Sequence, residues 1–419
     1  ADLAANDPRV QRRLRIQADL RDAIPRYKPL LHGKGVHNVT ITGENATLDG
    51  QGVAWWERWL SEPLLGRPHL IQFEESSDIR VVNVTLRNPG FWSMHLWQSE
   101  YLVVRFVTIL VDPWNPPVRP TNTDGINPDS SRHVLIEDCY LQTGDDSVAV
   151  KSGWDCFGRS EGRPSENITI RRVVVKQTFG CNAAGFTIGS EMSGGVRDVL
   201  IEDSLVISAG VAVEIKVGTS RGGFVQRIRI RNTTVLETRR GGLVVMAVYG
   251  EPNPFCGDPP PAPVVRDISF DNVWVRGPTM GPMVNLQGTA EVLLENITMR
   301  RIKGIGLWRC SRAIVEQTDN SRNQCMGFEA PSVAGRRWTP HVAEVPRPSY
   351  RREERAPQER ARGVRVAQRA ESDSGAMSSS WGRSTPGVLS AATLLFVLGY
   401  CARRHFWRVS AAHSKRDLQ

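Results

Sequence analysis

Residues 196–208 read VRDVLIEDSLVIS, an alternation of polar and apolar side chains, an acidic pair, and a second short alternation. The same pattern returns at residues 37–50, 77–88, 132–146, 166–177, 225–237, 265–277 and 291–302. Alternation with a period of two predicts short strands, and the polar residues between the alternations predict bends. Each copy therefore predicts two strands joined by a sharp corner.

The repeat length indicates how these strands pack. We expect coils of about 22 to 30 residues, and a unit this short cannot bury its apolar face alone. Stacking makes a continuous core and pairs each strand with its counterparts in the neighbouring coils. A propeller is the alternative, but its blades need about 40 residues and antiparallel strands. No helical pattern of useful length interrupts the series, so the sequence predicts an all-β fold, a parallel β-helix.

Two acidic motifs lie one repeat apart, NTDG at residues 122–125 and GDD at residues 144–146. Stacked coils would bring Asp124 beside Asp145 and Asp146, with no compensating base nearby. Such a cluster is electrostatically costly and indicates chemistry. Adjacent residues of a regular strand point to opposite faces, so both acids of the second motif share a cleft only if Gly144 lets the chain bend. A solvated Gly-Asp-Asp turn is the alternative.

Five motifs in order carry a resemblance to a known family. They read NTDGINPDSS at residues 122–131, TGDD at 143–146, VKSGWD at 150–155, IGSEMSGG at 188–195, and IK at 215–216 with RGG at 221–223. On these motifs the chain resembles the polygalacturonases of glycoside hydrolase family 28, especially their plant-type branch, over roughly residues 33–330. The resemblance implies a right-handed parallel β-helix, which agrees with the repeat.

The resemblance also implies inverting hydrolysis of α-1,4-galacturonide bonds in pectin or a related acidic polysaccharide. Asp145 matches the family's general acid, and Asp124 and Asp146 match the pair that activates the attacking water. An inverting hydrolase needs an acid and a base about 6.5–9.5 Å apart. Crowding three acids raises at least one pKa, which keeps a proton available. No cofactor and no metal are expected.

Two departures from the family pattern bear on the substrate. The family's Gly-His-Gly is replaced by Ala-Ala-Gly at residues 183–185, so a supporting histidine is absent. The family's Arg-Ile-Lys, which binds the substrate carboxylate, is replaced by Glu-Ile-Lys at residues 214–216, which reverses the local charge. Three interpretations stay open: a different substrate, a reduced affinity, or a surface position for the glutamate. The expected substrate-binding residues are Asn122, Glu214, Lys216 and Arg221.

Aromatic residues give weaker predictions. Trp55, Trp56 and Trp59 follow the first copy of the repeat and either stack on sugar rings or, as we favour, plug the open end of the coil. Phe91, Trp92, His95 and Trp97 lie one coil before Asp124. For His95 a structural role is favoured over substrate contact.

The formal net charge of +9 favours a polyanionic partner. Much of the excess lies in the C-terminal third and in residues 9–26. Together with the resemblance, it predicts an acidic polysaccharide rather than a nucleic acid as the partner. We expect a monomer that is secreted or located in the cell wall.

Seven cysteines leave one unpaired. Cys310 and Cys325 close a short loop and predict a disulfide, Cys156 with Cys181 is a second candidate pair, and Cys139 has the pattern of a buried thiol. No CxxC pair is present, so a zinc site is not expected. The sequons at Asn38, Asn45, Asn83, Asn167, Asn232 and Asn296 fit a glycoprotein, or asparagines that serve backbone bends.

Five segments are expected. Residues 1–30 form an N-terminal cap, residues 31–330 the catalytic β-helix, and residues 331–386 a disordered, Arg- and Ser-rich stalk. Residues 387–402 are apolar and are followed by a basic tail at 403–419, so they predict a possible membrane anchor.

Two other functions stay open at this point. One is a polysaccharide lyase on the same fold, which would use calcium and an Arg or Lys base. The other is a non-catalytic β-helix that binds cell-wall polysaccharide, which Ala184 and Glu214 make plausible.

Overall fold

The computed structural model describes residues 26–62, 66–113, 118–178, 182–250, 256, 260–276, 280–320 and 325. In chain order the strands of this part are β1 Leu31–Lys34, β2 His37–Thr42, β3 Thr47–Asp49, β4 Ile71–Glu74, β5 Ser77–Val82, β6 Thr85–Arg87, β7 Met94–Trp97, β8 Glu100–Arg105, β9 Thr108–Leu110, β10 Ile126–Asp129, β11 Arg132–Glu137, β12 Tyr140–Gln142, β13 Val148–Val150, β14 Ser165–Arg171, β15 Val174–Lys176, β16 Ala184–Ile188, β17 Val196–Glu202, β18 Leu205–Lys216, β19 Phe224–Val235, β20 Thr238–Met246, β21 Val264–Val275, β22 Val284–Gln287, β23 Leu294–Arg300, β24 Lys303–Gly304, β25 Trp308–Ser311 and β26 Ala313–Thr318. The helices are α1 Gly52–Ser61 and α2 Asp155–Glu161.

The strands stack in three faces, and every pairing between the named strands is parallel. Face A consists of β1, β4, β7, β10, β13, β16, the second half of β18, β20, β22 and β25. Face B consists of β2, β5, β8, β11, β14, β17, β23, β26 and most of β19 and β21, and the remaining strand segments form face C. This is the predicted right-handed parallel β-helix.

Alternation within each strand builds the core. On face A, Met94, Ile126 and Val148 are register partners in successive coils and are fully buried. Their neighbours His95 and Asn127 are also register partners. Because strand side chains alternate, these neighbours point away from the coil axis. The apolar column fills the axis, and the outward column of face A is free to carry polar groups.

Left-handed backbone marks the corners of the coils. Nine face B strands have a residue with a positive φ between their second and fourth positions, namely Asn38, Asp78, Tyr101, His133, Asn167, Asp198, Arg227, Asp267 and Asn296. Asn and Asp tolerate this conformation better than other residues with a side chain. All six sequon asparagines have a φ between 50° and 71°, so their recurrence is explained by the corners. Their glycosylation stays a prediction.

The coils differ from the predicted repeat in two respects. Ile126 pairs with Val148, 22 positions later, but Val148 pairs with Phe186, 38 positions later. The extra residues form loops at the corners. Such loops carry no alternation of polar and apolar residues, so the strand pattern does not predict their length. In addition, the helix α1 follows the first coil, where no helix of useful length was expected. Its Trp56 is buried and donates from Nε1 to the Pro89 carbonyl oxygen at 3.0 Å.

One of the two predicted disulfides is confirmed and the other is wrong. Cys310 is bonded to Cys325, whereas Cys156 is bonded to Cys256, 100 positions away, with 5.6 Å between the Cα atoms. Cys181, the expected partner, lies outside the described residues. The error arises because loops of different coils meet in space although they are distant in sequence. Cys139 is a free buried thiol, and burial raises its pKa to about 12.

Most of the terminal predictions fall outside the described residues. The segments concerned are residues 1–25 of the expected cap, the expected stalk, the apolar segment 387–402 and the basic tail. Residues 26–30 pair with the next coil, where the Tyr27 N–H donates to the Gly66 carbonyl oxygen and the Leu30 N–H to that of His69. No helix in the described ranges is both long and apolar enough to cross a bilayer.

The core packing predicts the effect of a truncation. Leu141 on face C is fully buried, so Leu141→Ala should destabilise the fold by about 2–5 kcal/mol through lost burial and a residual cavity. Leu60→Ala, which is matched in chemistry but lies at a half-exposed position of α1, should change stability by about 0.5 kcal/mol or less. Urea unfolding followed by circular dichroism measures both. Equal effects of the two variants would contradict the assignment of the core.

Candidate active site

The two acidic motifs lie on neighbouring coils of face A. Asp124 lies two residues before β10, and Asp145 and Asp146 occupy the bend between β12 and β13. The Gly125 N–H donates to the Asp146 carbonyl oxygen at 2.9 Å, so backbone pairing aligns the two motifs. The three acids therefore lie together, as their spacing predicts.

Gly144 makes the bend possible through its small size. A Cβ at this position would clash with Thr123 Oγ1 and would lie 2.5 Å from the Pro120 carbonyl oxygen. The bend takes Asp145 and Asp146 out of the regular strand, which removes the constraint that adjacent residues face opposite ways. Close approach of two coils, rather than a left-handed φ, is the reason for a glycine here.

Asp146 is held as an anion. Its Oδ2 accepts a hydrogen bond from Lys216 Nζ at 2.7 Å, and its Oδ1 accepts one from the Ala184 N–H at 2.8 Å. Burial acts to raise the pKa of Asp146, but the charge and hydrogen bond of Lys216 together with the Ala184 N–H outweigh it and lower the pKa below its ordinary value. The position that lacks the expected histidine thus supports Asp146 through its backbone.

Asp124 is held in the opposite way. Burial raises its pKa well above the ordinary value, and the neighbouring charge of Asp145 raises it further. Lys151 Nζ at 4.0 Å and the amide of Asn127, which donates to Oδ2 at 3.0 Å, act against this. Lys151 is itself shared, since its Nζ donates to Glu191 Oε2 at 2.8 Å. The pKa of Asp124 is raised overall, so this carboxyl group favours its protonated form.

Asp145 is the least buried of the three acids. Its Oδ2 accepts from the Asn122 N–H and its Oδ1 from the Asp146 N–H, each at 3.0 Å. Desolvation and the charge of Asp146 nevertheless raise the pKa of Asp145. A carboxyl group that is both accessible and inclined to keep its proton has the properties of a general acid.

Arg67 fixes the segment that holds Asp145. Its buried guanidinium donates to the Asn122 side-chain oxygen at 3.0 Å and to the Thr121 carbonyl oxygen at 2.7 Å. Asn122 in turn orients Asp145 through its own N–H. In the described residues, the predicted binding residue Asn122 is therefore a link between a buried cation and the acid.

Glu214 and Lys216 lie beside Asp146. Glu214 is buried, with its Oε2 at 3.7 Å from Lys216 Nζ and 3.8 Å from Arg240 Nη2. Within the described ranges this oxygen accepts no hydrogen bond. Burial raises the pKa of Glu214, and the charge of Asp146 adds to this. The surface interpretation of Glu214 is wrong, because its strand is in register and its side chain faces the site.

Lys216 is surrounded by groups that favour its charge. Burial acts against the charge, but Asp146 and Glu214 raise the pKa of Lys216 well above its ordinary value. Its Nζ also lies 5.4 Å from the ring centroid of Tyr249. Most of the charge of this lysine is therefore already balanced by protein carboxylates.

Arg221 lies at the rim of the same site. Its guanidinium is within 3.4 Å of Asp155 Oδ1 and of Ser190 Oγ, and it lies 5.0 Å from the ring of Trp154. Burial acts to raise the pKa of Glu191, but Lys151 outweighs burial and the charge of Arg221 adds to the effect of Lys151. The pKa of Glu191 is lowered to about 2. Arg221 is buried near the site, and its role in substrate binding stays a prediction.

Two lysines change the expected charge balance around the acids. The expectation that no base compensates the acids is wrong, because Lys151 and Lys216 approach from later coils that the acidic motifs do not contain. The sequence motifs held a signal for Lys151 and Glu191, which lie in VKSGWD and IGSEMSGG. Arg67 carried no such signal.

The aromatic residues have structural partners. His95 is fully buried between Gln72, whose Nε2 lies 3.2 Å from His95 Nδ1, and Asp129, whose Oδ2 lies 3.2 Å from Nε2. The interpretation of His95 as a satisfied structural histidine agrees with this geometry. Trp55 packs on Tyr27 with 4.9 Å between ring centroids, and Trp59 lies under Arg67.

Comparison with known proteins gives a consistent family. A sequence model described as "Glycosyl hydrolases family 28" matches residues 15–320. The chain is 40% identical over 286 residues to a protein from Vitis vinifera named "Probable polygalacturonase", which covers 67% of this chain and 56% of that protein. It is 29% identical over 269 residues to an endo-polygalacturonase from Pectobacterium carotovorum subsp. carotovorum, covering 61% and 60%.

Solved structures agree in fold. An exopolygalacturonase from Thermotoga maritima aligns with a TM-score of 0.56 at 25% identity, covering 71% of this chain and 73% of that one. A polygalacturonase from Erwinia carotovora ssp. carotovora aligns with a TM-score of 0.56 at 23% identity, covering 69% and 73%. The chain spans less than two thirds of the length of the Vitis vinifera and Pectobacterium carotovorum relatives.

The opposite environments of two acids predict opposite effects on stability. At neutral pH, Asp124→Asn should stabilise the fold, by about 1.4 kcal/mol for each unit by which burial raises the pKa, because it removes a charge that folding disfavours. Asp146→Asn should destabilise it, by up to about 3–5 kcal/mol, because it breaks a buried ion pair.

The pH dependence of the two effects also differs. A raised folded-state pKa penalises the fold as pH rises, so the gain of Asp124→Asn should shrink as pH falls to the ordinary aspartate value of about 3.9. A lowered pKa stabilises the fold above the ordinary value, so the loss in Asp146→Asn should fade only below it. Thermal midpoints measured from pH 7 to pH 3 check both, and effects of the same sign would contradict the assignment.

Proposed function

The chain belongs to glycosyl hydrolases family 28, and on this premise we propose that it hydrolyses α-1,4-galacturonide bonds of pectin or a related acidic polysaccharide with inversion. The observation that carries the proposal is the divergence of the acids. Asp145 is accessible with a raised pKa, whereas Asp146 is ion-paired with a lowered pKa. Environments that push carboxyl pKa values apart assign acid and base roles.

Asp145 acts as the general acid. It protonates the glycosidic oxygen as the bond to the leaving sugar breaks, so that the leaving group departs as an alcohol. The Asn122 and Asp146 N–H groups orient its carboxyl. Arg67, which holds Asn122, keeps this orientation fixed while the proton moves.

Asp146 and Asp124 activate the attacking water. Asp146 accepts a proton from a water molecule while the oxygen of that water bonds to the anomeric carbon. The attack comes from the side opposite the leaving group, which inverts the configuration. Lys216 keeps Asp146 ionised for this step. Asp124, with Lys151 at 4.0 Å, binds the same water and orients it for attack.

The subsite beside Lys216 has an unusual charge balance for an anionic substrate. Asp146 and Glu214 offset the lysine, and Arg240 remains as a half-exposed cation at 3.8 Å from Glu214. We therefore propose a lowered affinity for a free sugar carboxylate there, and tolerance of an esterified or neutral residue. The substrate in this proposal is pectic material, and its place of action is the cell wall or the space outside the cell.

Substitution of the general acid tests the reaction. Asp145→Asn should lower the release of reducing ends from polygalacturonate by about 100- to 10,000-fold, because general acid catalysis is lost. Asp78→Asn is the matched control on face B, where the side chain is about half exposed and the left-handed backbone suits asparagine. It should leave the rate unchanged.

The same assay separates the alternatives. Products that absorb in the ultraviolet and depend on calcium would support a lyase. Binding to polygalacturonate without any product, in wild type and in Asp145→Asn alike, would support a non-catalytic function.

The charge at position 214 predicts a change in affinity. Glu214→Gln keeps the size and removes one negative charge, so KM for polygalacturonate should fall about fivefold, the equivalent of a like-charge repulsion of roughly 1 kcal/mol. Glu295→Gln, at an exposed position of β23, is the control. A rise in KM for Glu214→Gln would contradict repulsion between Glu214 and the substrate. It would indicate that Glu214 accepts a hydrogen bond from a sugar hydroxyl.

A further inference from the structure

The outward column of face A is covered on one side of the catalytic acids. Gln72, Glu74, His95 and Trp97 occupy this column in the two coils before Asp124. Their exposed fractions are 1%, 3%, 0% and 2%. In these two coils the outward column is packed under other side chains of the protein.

An aromatic cluster packs on this column at His95. It consists of His69, Phe91, Trp92 and His95, whose ring centroids lie 5.0–5.3 Å apart in five pairs. His69, Phe91 and Trp92 belong to the segments just before β4 and β7 and are themselves 3%, 7% and 5% exposed. The cluster is therefore packed tightly against the face rather than folded loosely over it.

Cations and α1 brace the cluster from the side. The guanidinium carbon of Arg26 lies 3.7 Å, and that of Arg67 5.1 Å, from the ring centroid of Phe91. Arg67 also lies 4.9 Å from the ring of Trp59 in α1. Since Arg67 holds Asn122 as well, the cover and the general acid are parts of one contact network.

The edge of the cluster reaches the acids directly. Lys151 Nζ lies 4.7 Å from the ring centroid of Trp92 and 4.0 Å from Asp124 Oδ2. One ammonium group therefore separates the indole from a catalytic carboxylate. The covered region begins within one coil of Asp124, and successive coils are only about 4.8 Å apart.

Among the described residues, the other side of the acids is less covered. In the coils after Lys216, the outward column continues through Met246 and Gln287, which are partly exposed, to Ser311, which is exposed. Tyr249 is 36% exposed and the Arg240 side chain 43% exposed at this side. A chain of sugars has room to extend over these side chains.

We propose that the aromatic cluster closes the substrate groove beside Asp124, so that the enzyme cleaves from a chain end and releases single sugars. The proposal rests on the hydrolase function proposed above. Trp92 lies at the edge of the cluster that meets Lys151, where the groove ends. Arg240 and Tyr249 line the side from which the rest of the polymer extends.

The product profile of the wild-type protein is the first test. Polygalacturonate and end-labelled galacturonide oligomers should give monosaccharide from the earliest time points, with a slow fall in viscosity for each reducing end formed. Early mixtures of longer oligomers with a rapid fall in viscosity would overturn the chain-end proposal and leave the hydrolase function intact. If no reducing ends form, both proposals fail.

Opening the wall is the second test. Trp92→Ala should shift the product from monosaccharide toward di- and trisaccharides, whatever its effect on rate. Trp274→Ala, which removes an indole that is 46% exposed on face C, should leave product length unchanged. Monosaccharide as the sole product of Trp92→Ala would overturn the assignment of the wall. If this variant does not fold, the wild-type profile decides.

Discussion

Parallel pairing in register between successive coils is the constraint on which the structure depends. A strand can pair with the coil before and the coil after it only if all three turn their corners at the same place. The left-handed Asn and Asp residues satisfy this requirement, and the apolar column through Met94, Ile126 and Val148 makes slippage costly. The same pairing places Asp124 next to Asp146, although neither acid belongs to a strand.

The site is a chain of buried charges attached to that register. Lys216 lies 70 positions after Asp146 and Arg67 lies 55 positions before Asn122, so each contact joins coils that local sequence does not connect. Each buried ion needs its partner, because an isolated charge at these positions would be expensive. The result is a set of neighbouring acids whose protonation differs because their charged and hydrogen-bonding partners differ.

Much of the fold could be predicted from the sequence because strand alternation and corner residues are local signals. The gathering of the three acids followed from the repeat. The lysines that balance them did not, since Lys151 and Lys216 enter the site through pairing of distant coils. The same reason applies to Cys156 and Cys256, and to Arg67, whose role depends on a loop and a helix that carry no periodic pattern.

The unequal coil lengths have an evolutionary consequence. Ile126 and Val148 are joined by a short path, whereas Val148 and Phe186 are joined by a longer one that includes α2. Since each coil contacts mainly its neighbours, residues added at a corner leave the register of the strands unchanged. Insertions and deletions at corners can therefore reshape the walls around a substrate while the acids stay in place, so such a scaffold can acquire new specificities without rebuilding its chemistry.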